Sequence, residues 1–185
     1  VYIDELEQEL EKEAYRAKYD EQTDPLTGVL NKTYFVRRMK ELAGREVVPT
    51  GVICVNINDW MYAHVHYGEE ESDRLITIVA DILKRNADAQ TIIGRVDGDI
   101  FHVLMPLSEE EEVQEYCRKI EEDCLQFQDD KLAPSVATGY VIKTNVEEDF
   151  DQLFSDAEYV MFEHKLQIKN APGYRERLEK GSNLK

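Results

Sequence analysis

The sequence predicts an α/β protein of the α+β kind: a mixed central β-sheet flanked by helices, with a helical stalk at the N-terminus. Three observations carry this. Helix-spaced apolar residues alternate with short β-branched runs, an Asp97-Gly98 pair sits between two such runs, and the first segment is dense in Glu, Lys and Ala. A length of 185 residues with 42% hydrophobic content suits one domain with an appendage and a core of useful size. The expected division is a stalk over 1–22, a domain over 23–170 and a polar tail over 171–185.

In the stalk, Ile3, Leu6, Leu10 and Ala17 follow a three-four spacing that Glu13 interrupts. That pattern suits the end of a parallel coiled coil, or a solvated helix that does nothing alone. Pro25 and Gly28 break the chain before a second helix, which Asn31 can cap and which buries Phe35, Met39 and Leu42. Val47–Ile57 reads as a buried strand. Residues 69–86 return to helical spacing through Leu75, Val79, Ile82 and Leu83. Thr91–Val96 and Ile100–Met105 then form a hairpin about Asp97-Gly98-Asp99, where Asp-Gly suits a type I′ turn. Ser108 with Glu111 reads as a capping box opening the next helix, whose buried face runs from Val113 to Phe127. Pro134–Thr144 is a strand. Phe150, Leu153, Phe154, Ala157, Met161 and His164 mark a last long helix. The tail is ambiguous: Ala171-Pro172-Gly173 breaks it, and Tyr174–Lys180 suits a helix.

Lys plus Arg number 22 against 39 Asp plus Glu, a net charge of −17. Such a surface is a poor nucleic-acid binder and is repelled by anionic membranes. No apolar run approaches the roughly 20 residues that cross a bilayer, and the charged N-terminus is no signal peptide. Cys54, Cys117 and Cys124 have no metal-binding spacing and read as reduced, buried thiols, which suits a cytoplasmic setting.

Four segments, taken in order, resemble one family. Asp24-Pro25-Leu26-Thr27-Gly28-Val29-Leu30-Asn31 is similar to the opening motif of GGDEF domains, the diguanylate cyclase family. Arg95-Val96-Asp97-Gly98-Asp99-Ile100-Phe101 resembles its signature R-x-G-G-D/E-E-F. Asn56-Ile57-Asn58-Asp59-Trp60 sits where the family has D-x-D-x-F. Glu158–Asn170 resembles its closing helix. The resemblance implies a nucleotidyl-cyclase-like fold. It also implies an activity that joins two GTP molecules into cyclic di-GMP across a pair of domains, with two Mg²⁺ ions, downstream of a sensor domain. In such proteins an N-terminal coiled coil aligns the pair, so a homodimer through residues 1–22 is expected.

The chain departs from the family where the chemistry lies. Asn56 stands at a metal-binding Asp, and an amide is a weaker, neutral ligand. The signature reads Asp97, Gly98, Asp99, Ile100, Phe101. Asp97 adds a negative charge beside the expected triphosphate, and Ile100 replaces a carboxylate. Asp99, with Asn56 as a weak second ligand, is what remains for a metal. Met61 replaces a phosphate-loop Lys, while His64, kept as a residual nucleotide-binding candidate, and Val65 stand at the guanine-reading Asn and its Asp. The family's inhibitory RxxD site falls on Asp88 and Thr91 and is lost. Asp73 matches a guanine contact, and Lys165 and Lys169 match a basic pair facing phosphates; all three also suit a solvated helix face. The expected function is therefore a degenerate, catalytically inactive GGDEF domain. It would serve as a regulatory, nucleotide-sensing or dimerisation module, with Mg²⁺ needed only if GTP is bound. The alternative is an active diguanylate cyclase with an unusual site.

Overall fold

The computed structural model describes residues 2–127 and 131–182; Val1 of the expected stalk and 183–185 of the expected tail lie outside the described residues. Among the described residues, twelve elements follow one another: α1 (Tyr2–Gln22), β1 (Leu30–Asn31), α2 (Lys32–Ala43), β2 (Thr50–Ile57), α3 (Trp60–Tyr67), α4 (Glu69–Arg85), β3 (Ile92–Asp97), β4 (Ile100–Pro106), α5 (Glu110–Gln126), β5 (Val136–Lys143), α6 (Phe150–Asn170) and α7 (Tyr174–Ser182). The five strands form one sheet in the order β1-β3-β4-β2-β5. β1 runs parallel to β3, and the other three pairings are antiparallel, so the sheet is mixed as the sequence predicts.

β2 lies in the interior of the sheet, and all eight of its residues are buried. Its strand period of two still sorts them. Ile53, Val55 and Ile57 join a core built with α4 and α5, whereas Val52 and Cys54 join the opposite core, built with α2 and α6. Helices thus cover both faces. Asn56 shares the α6 face with Cys54 by the same alternation.

One glycine sets how near α6 lies. A Cβ on Gly139 of β5 would fall 2.2 Å from the Ala157 carbonyl oxygen and 2.2 Å from the Met161 nitrogen. Only hydrogen there lets α6 settle onto the sheet. Ala157 and Met161 are buried against it, and Lys165, four residues on, continues the same helix face.

Two local expectations are corrected. Ser108 does not cap α5: Glu109 holds that position with no side-chain bond. The cause is a turn at Leu107 (φ 55°), after which the Ser108 amide bonds the Pro49 carbonyl at 3.2 Å and its hydroxyl bonds Pro106. Nor is the hairpin a type I′ turn, because neither Gly98 nor its neighbours have positive φ. A bulge between Arg95 and Asp97 takes up the extra residue instead. Strand β2 also starts later than Val47, and β1 and α3 are additional elements. Asn31 does cap α2, accepting from the Tyr34 amide at 3.0 Å.

α1 stands apart, with none of its described residues buried. Its end is fastened to the domain. The Asn31 side chain donates to the Glu21 carbonyl at 2.8 Å, and Asp24 accepts from the Thr27 hydroxyl at 2.7 Å. Gly28, at φ 76°, lets the chain reverse into β1.

Candidate functional site

The hairpin turn, the end of β2 and the last turns of α6 meet at one edge. Backbone pairing starts the assembly: the Ile57 amide donates to the Asp99 carbonyl at 2.9 Å. The Asn56 side-chain amide donates to that same carbonyl at 3.2 Å. From the other side, the Lys165 ammonium donates to the Asn56 carbonyl oxygen. Asn56 is 4% exposed, so both ends of its amide are used inside the protein.

The turn is braced from the stalk side. Arg95 donates to the Gly98 carbonyl at 3.0 and 2.8 Å and to the Asp24 carboxylate at 3.3 Å. Asp97 accepts from the Gly98 amide at 2.8 Å, so its carboxylate folds back on its own turn. The Trp60 ring lies close above Gly98: an added Cβ would meet it at 3.3 Å. Ile100 packs beside Cys54, Ala137, Ala157 and Met161, and Phe101 is fully buried.

The expected site residues divide accordingly. Asn56, Asp99 and Lys165 come together. Lys169 is exposed, one turn further along α6, and its charge together with burial lowers the Lys165 pKa. Burial is the larger cause, while Asp99 and Asp59 act the other way. His64 lies on α3, where its ring stacks on Trp60 at 6.0 Å and its Nδ1 is 3.2 Å from the Ser72 hydroxyl. Asp73 lies on α4; its backbone carbonyl accepts from Thr77. The three thiols are buried, and burial pushes each up to about 12, so none is a nucleophile at neutral pH.

The donor set does not fit a divalent cation. Hard cations need several oxygens, with carboxylates among them. Here the Asn56 oxygen is held by an ammonium, Ile100 offers hydrocarbon, Asp59 is engaged by Tyr174 and Arg177, and of the expected ligand positions Asp99 alone brings a carboxylate. Among the described residues there is no group of three or more His, Cys, Asp or Glu placed to hold a metal.

Sequence reasoning missed α7's part. Asp59, in the left-handed conformation (φ 64°), accepts hydrogen bonds from the Tyr174 hydroxyl and from Arg177 at 2.7 Å. Arg177 also donates to the Ala133 carbonyl, and the Tyr62 hydroxyl reaches the Leu178 carbonyl at 3.4 Å. Burial, then Asp59, raises the Tyr174 pKa. The available signal was the helical pattern over Tyr174–Lys180, which carries no apolar stripe to say where it docks.

Comparison with known proteins identifies the class. The family profile described as diguanylate cyclase, GGDEF domain, matches residues 21–171. The chain therefore belongs to the GGDEF family. It is 25% identical over 101 residues to the probable diguanylate cyclase DgcT of Escherichia coli K12, covering 54% of this chain and 22% of that protein. It thus spans about a fifth of that relative's length. Among solved structures, the coiled coil and GGDEF domain of DgcB from Caulobacter crescentus, in complex with c-di-GMP, superimposes with a TM-score of 0.78. The identity is 18%, over 90% of this chain and 91% of that one. Diguanylate cyclase SiaD from Pseudomonas aeruginosa, in complex with its activator SiaC, gives 0.74 at 16% identity, over 90% and 66%. The FimX GGDEF domain from the same species gives 0.72 at 15%, over 79% and 94%. Among the described residues, no helix is long and apolar enough to cross a membrane.

Proposed function

We propose that this chain is a degenerate GGDEF domain, catalytically inactive, acting as a regulatory and dimerisation module in cyclic di-GMP signalling. One observation carries the reading: the Asn56 carbonyl oxygen, at the position of a metal-binding Asp, is held by Lys165. Ile100, packed in hydrocarbon, supports it, since no carboxylate stands at the signature's second acidic position. Without a metal centre, nothing activates the 3′ hydroxyl of one GTP or offsets charge on the phosphates of the other.

What the chain keeps is a scaffold between α1 and the hairpin. Ile3, Leu6 and Leu10 are 71%, 44% and 58% exposed, an apolar row that a second copy's α1 would cover. In this reading a cytoplasmic pair of domains reads an upstream sensor through α1 and presents its state to a protein partner.

The test is to incubate the chain with GTP and Mg²⁺ or Mn²⁺ and measure cyclic di-GMP by chromatography, with calorimetry on the same sample. The expected result is no product and no GTP binding heat. Binding without product would replace the dimerisation role by GTP sensing. Product at an enzyme-like rate would overturn the proposal.

A further inference from the structure

The filling of the cation position is more specific than a lost ligand. Four facts converge on Lys165. Its ammonium donates to the Asn56 oxygen. That oxygen lies on a residue whose other end is bound to the Asp99 carbonyl, so Asn56 cannot turn away without losing a second bond. Burial and the Lys169 charge act against the ammonium, and the Asp99 and Asp59 carboxylates partly offset them. Finally, Gly139 holds α6 near enough to the sheet for residue 165 to reach β2.

We propose that the Lys165 ammonium is this domain's resident cation: a side chain tethered to α6 stands where a divalent ion would need the residue-56 oxygen, and it makes the site metal-independent. The physics favours the tethered charge. An ammonium supplied by the fold is present at full occupancy, whereas Mg²⁺ must lose part of its hydration shell for a single carboxylate and a neutral amide. An ammonium also brings donors only, so an amide oxygen satisfies it as well as a metal would be satisfied poorly.

It follows that restoring the carboxylate alone does not restore a metal. Asn56→Asp would convert the hydrogen bond into a buried ion pair with Lys165, and the new charge would be spent there. A metal site requires that Lys165 leave as well. The proposal rests on the degenerate-site reading above, but it fails separately from it. A wild-type chain that makes cyclic di-GMP overturns the functional reading, whereas one that takes up metal without product overturns only this proposal.

The experiment measures Mn²⁺ binding by electron paramagnetic resonance at fixed ionic strength. It uses the wild type, Asn56→Asp, Lys165→Met and the double variant Asn56→Asp/Lys165→Met. Circular dichroism on each sample confirms folding. The expected result is no saturable Mn²⁺ site in the wild type or in Asn56→Asp. The double variant should show a saturable site, on the order of tenfold or more tighter than any residual binding to the other two, because two carboxylates then face the ion with no ammonium competing for them. Saturable binding to the wild type, or to Asn56→Asp as tight as to the double variant, would overturn the proposal. So would a folded double variant that binds no better than wild type. If the double variant does not fold, Lys165→Gln with Asn56→Asp replaces it and is read in the same way.

Discussion

His102 lies between two phenyl rings, stacked on Phe154 at 4.1 Å and edge-on to Phe35 at 6.0 Å. Burial, and secondarily Lys32, pushes its pKa down to about 4 from the usual 6.5. The folded state therefore prefers the neutral ring, while the unfolded chain takes up a proton below about 6.5. Stability from this group is fully present above pH 6.5 and is lost as pH falls towards 4, amounting to about 3 kcal/mol over the full window. His102→Phe should remove that component. Urea unfolding at pH 7 and pH 4.5 is expected to show a smaller acid loss in the variant than in the wild type. Equal losses would mean that the carboxylates alone set the acid limit. The same residue shows what a linear reading gives up. His102 falls plainly within a β-run, but its ring partners come from α2 and α6, and only the packed sheet brings them together.

At the scale of elements, the amphipathic helices and the buried strands were legible, because each carries its own period. α4 places Leu75, Val79, Ile82 and Leu83 on one buried stripe, as their spacing predicts, and Ile76 joins them. β1 was not legible, since two residues have no pattern and exist as a strand only through pairing with Gly94 and Arg95. α7 was partly legible as a helix, but its docking was hidden, because polar anchors do not announce a face. Those anchors make a prediction. Arg177 and Asp59 are 18% and 10% exposed, and removing Arg177 leaves the Asp59 carboxylate buried without a counter-charge, held by the Tyr174 hydroxyl. Arg177→Ala should cost about 2–4 kcal/mol of local stability. The readout is amide hydrogen exchange: faster exchange over 174–179 and over α3, with β2 and β4 unchanged. Undisturbed exchange in α7 would show that Tyr174 and Leu178 suffice to hold it.

For the molecule as a whole, charge and stalk act together. A net charge of −17 makes each copy repel another, and the acidic α1 carries part of that charge. Added salt screens that repulsion while leaving the apolar row at Ile3, Leu6 and Leu10 intact. Light scattering is therefore expected to show a concentration-dependent dimer that strengthens between low and high NaCl, and a monomer when Leu6→Glu and Leu10→Glu are combined. A mass that stays monomeric at high concentration and high salt would remove α1 as a pairing surface. At this scale the family and the sheet could be read from ordered motifs. The site's internal wiring could not, because Lys165 and Asn56 are separated by 109 positions.

The brace at Arg95 ties the base of the stalk to the hairpin turn, the connection a lever would need. With 21 residues, α1 is about 31 Å long, so a sideways shift of about 5 Å at its far end arrives at Asp24 as a rotation of about 10°. One guanidinium then stands between that pivot and the Gly98 carbonyl, and the next peptide, at Asp99, is the one that Asn56 and Ile57 hold. Beside the Asn31–Glu21 and Thr27–Asp24 bonds that fasten the stalk, this one planar, two-handed side chain spans directly from Asp24 to the turn at the sheet edge. Under the proposed regulatory role, such an arrangement would have a use without chemistry: it would convert an angle outside the domain into the posture of one turn on its surface.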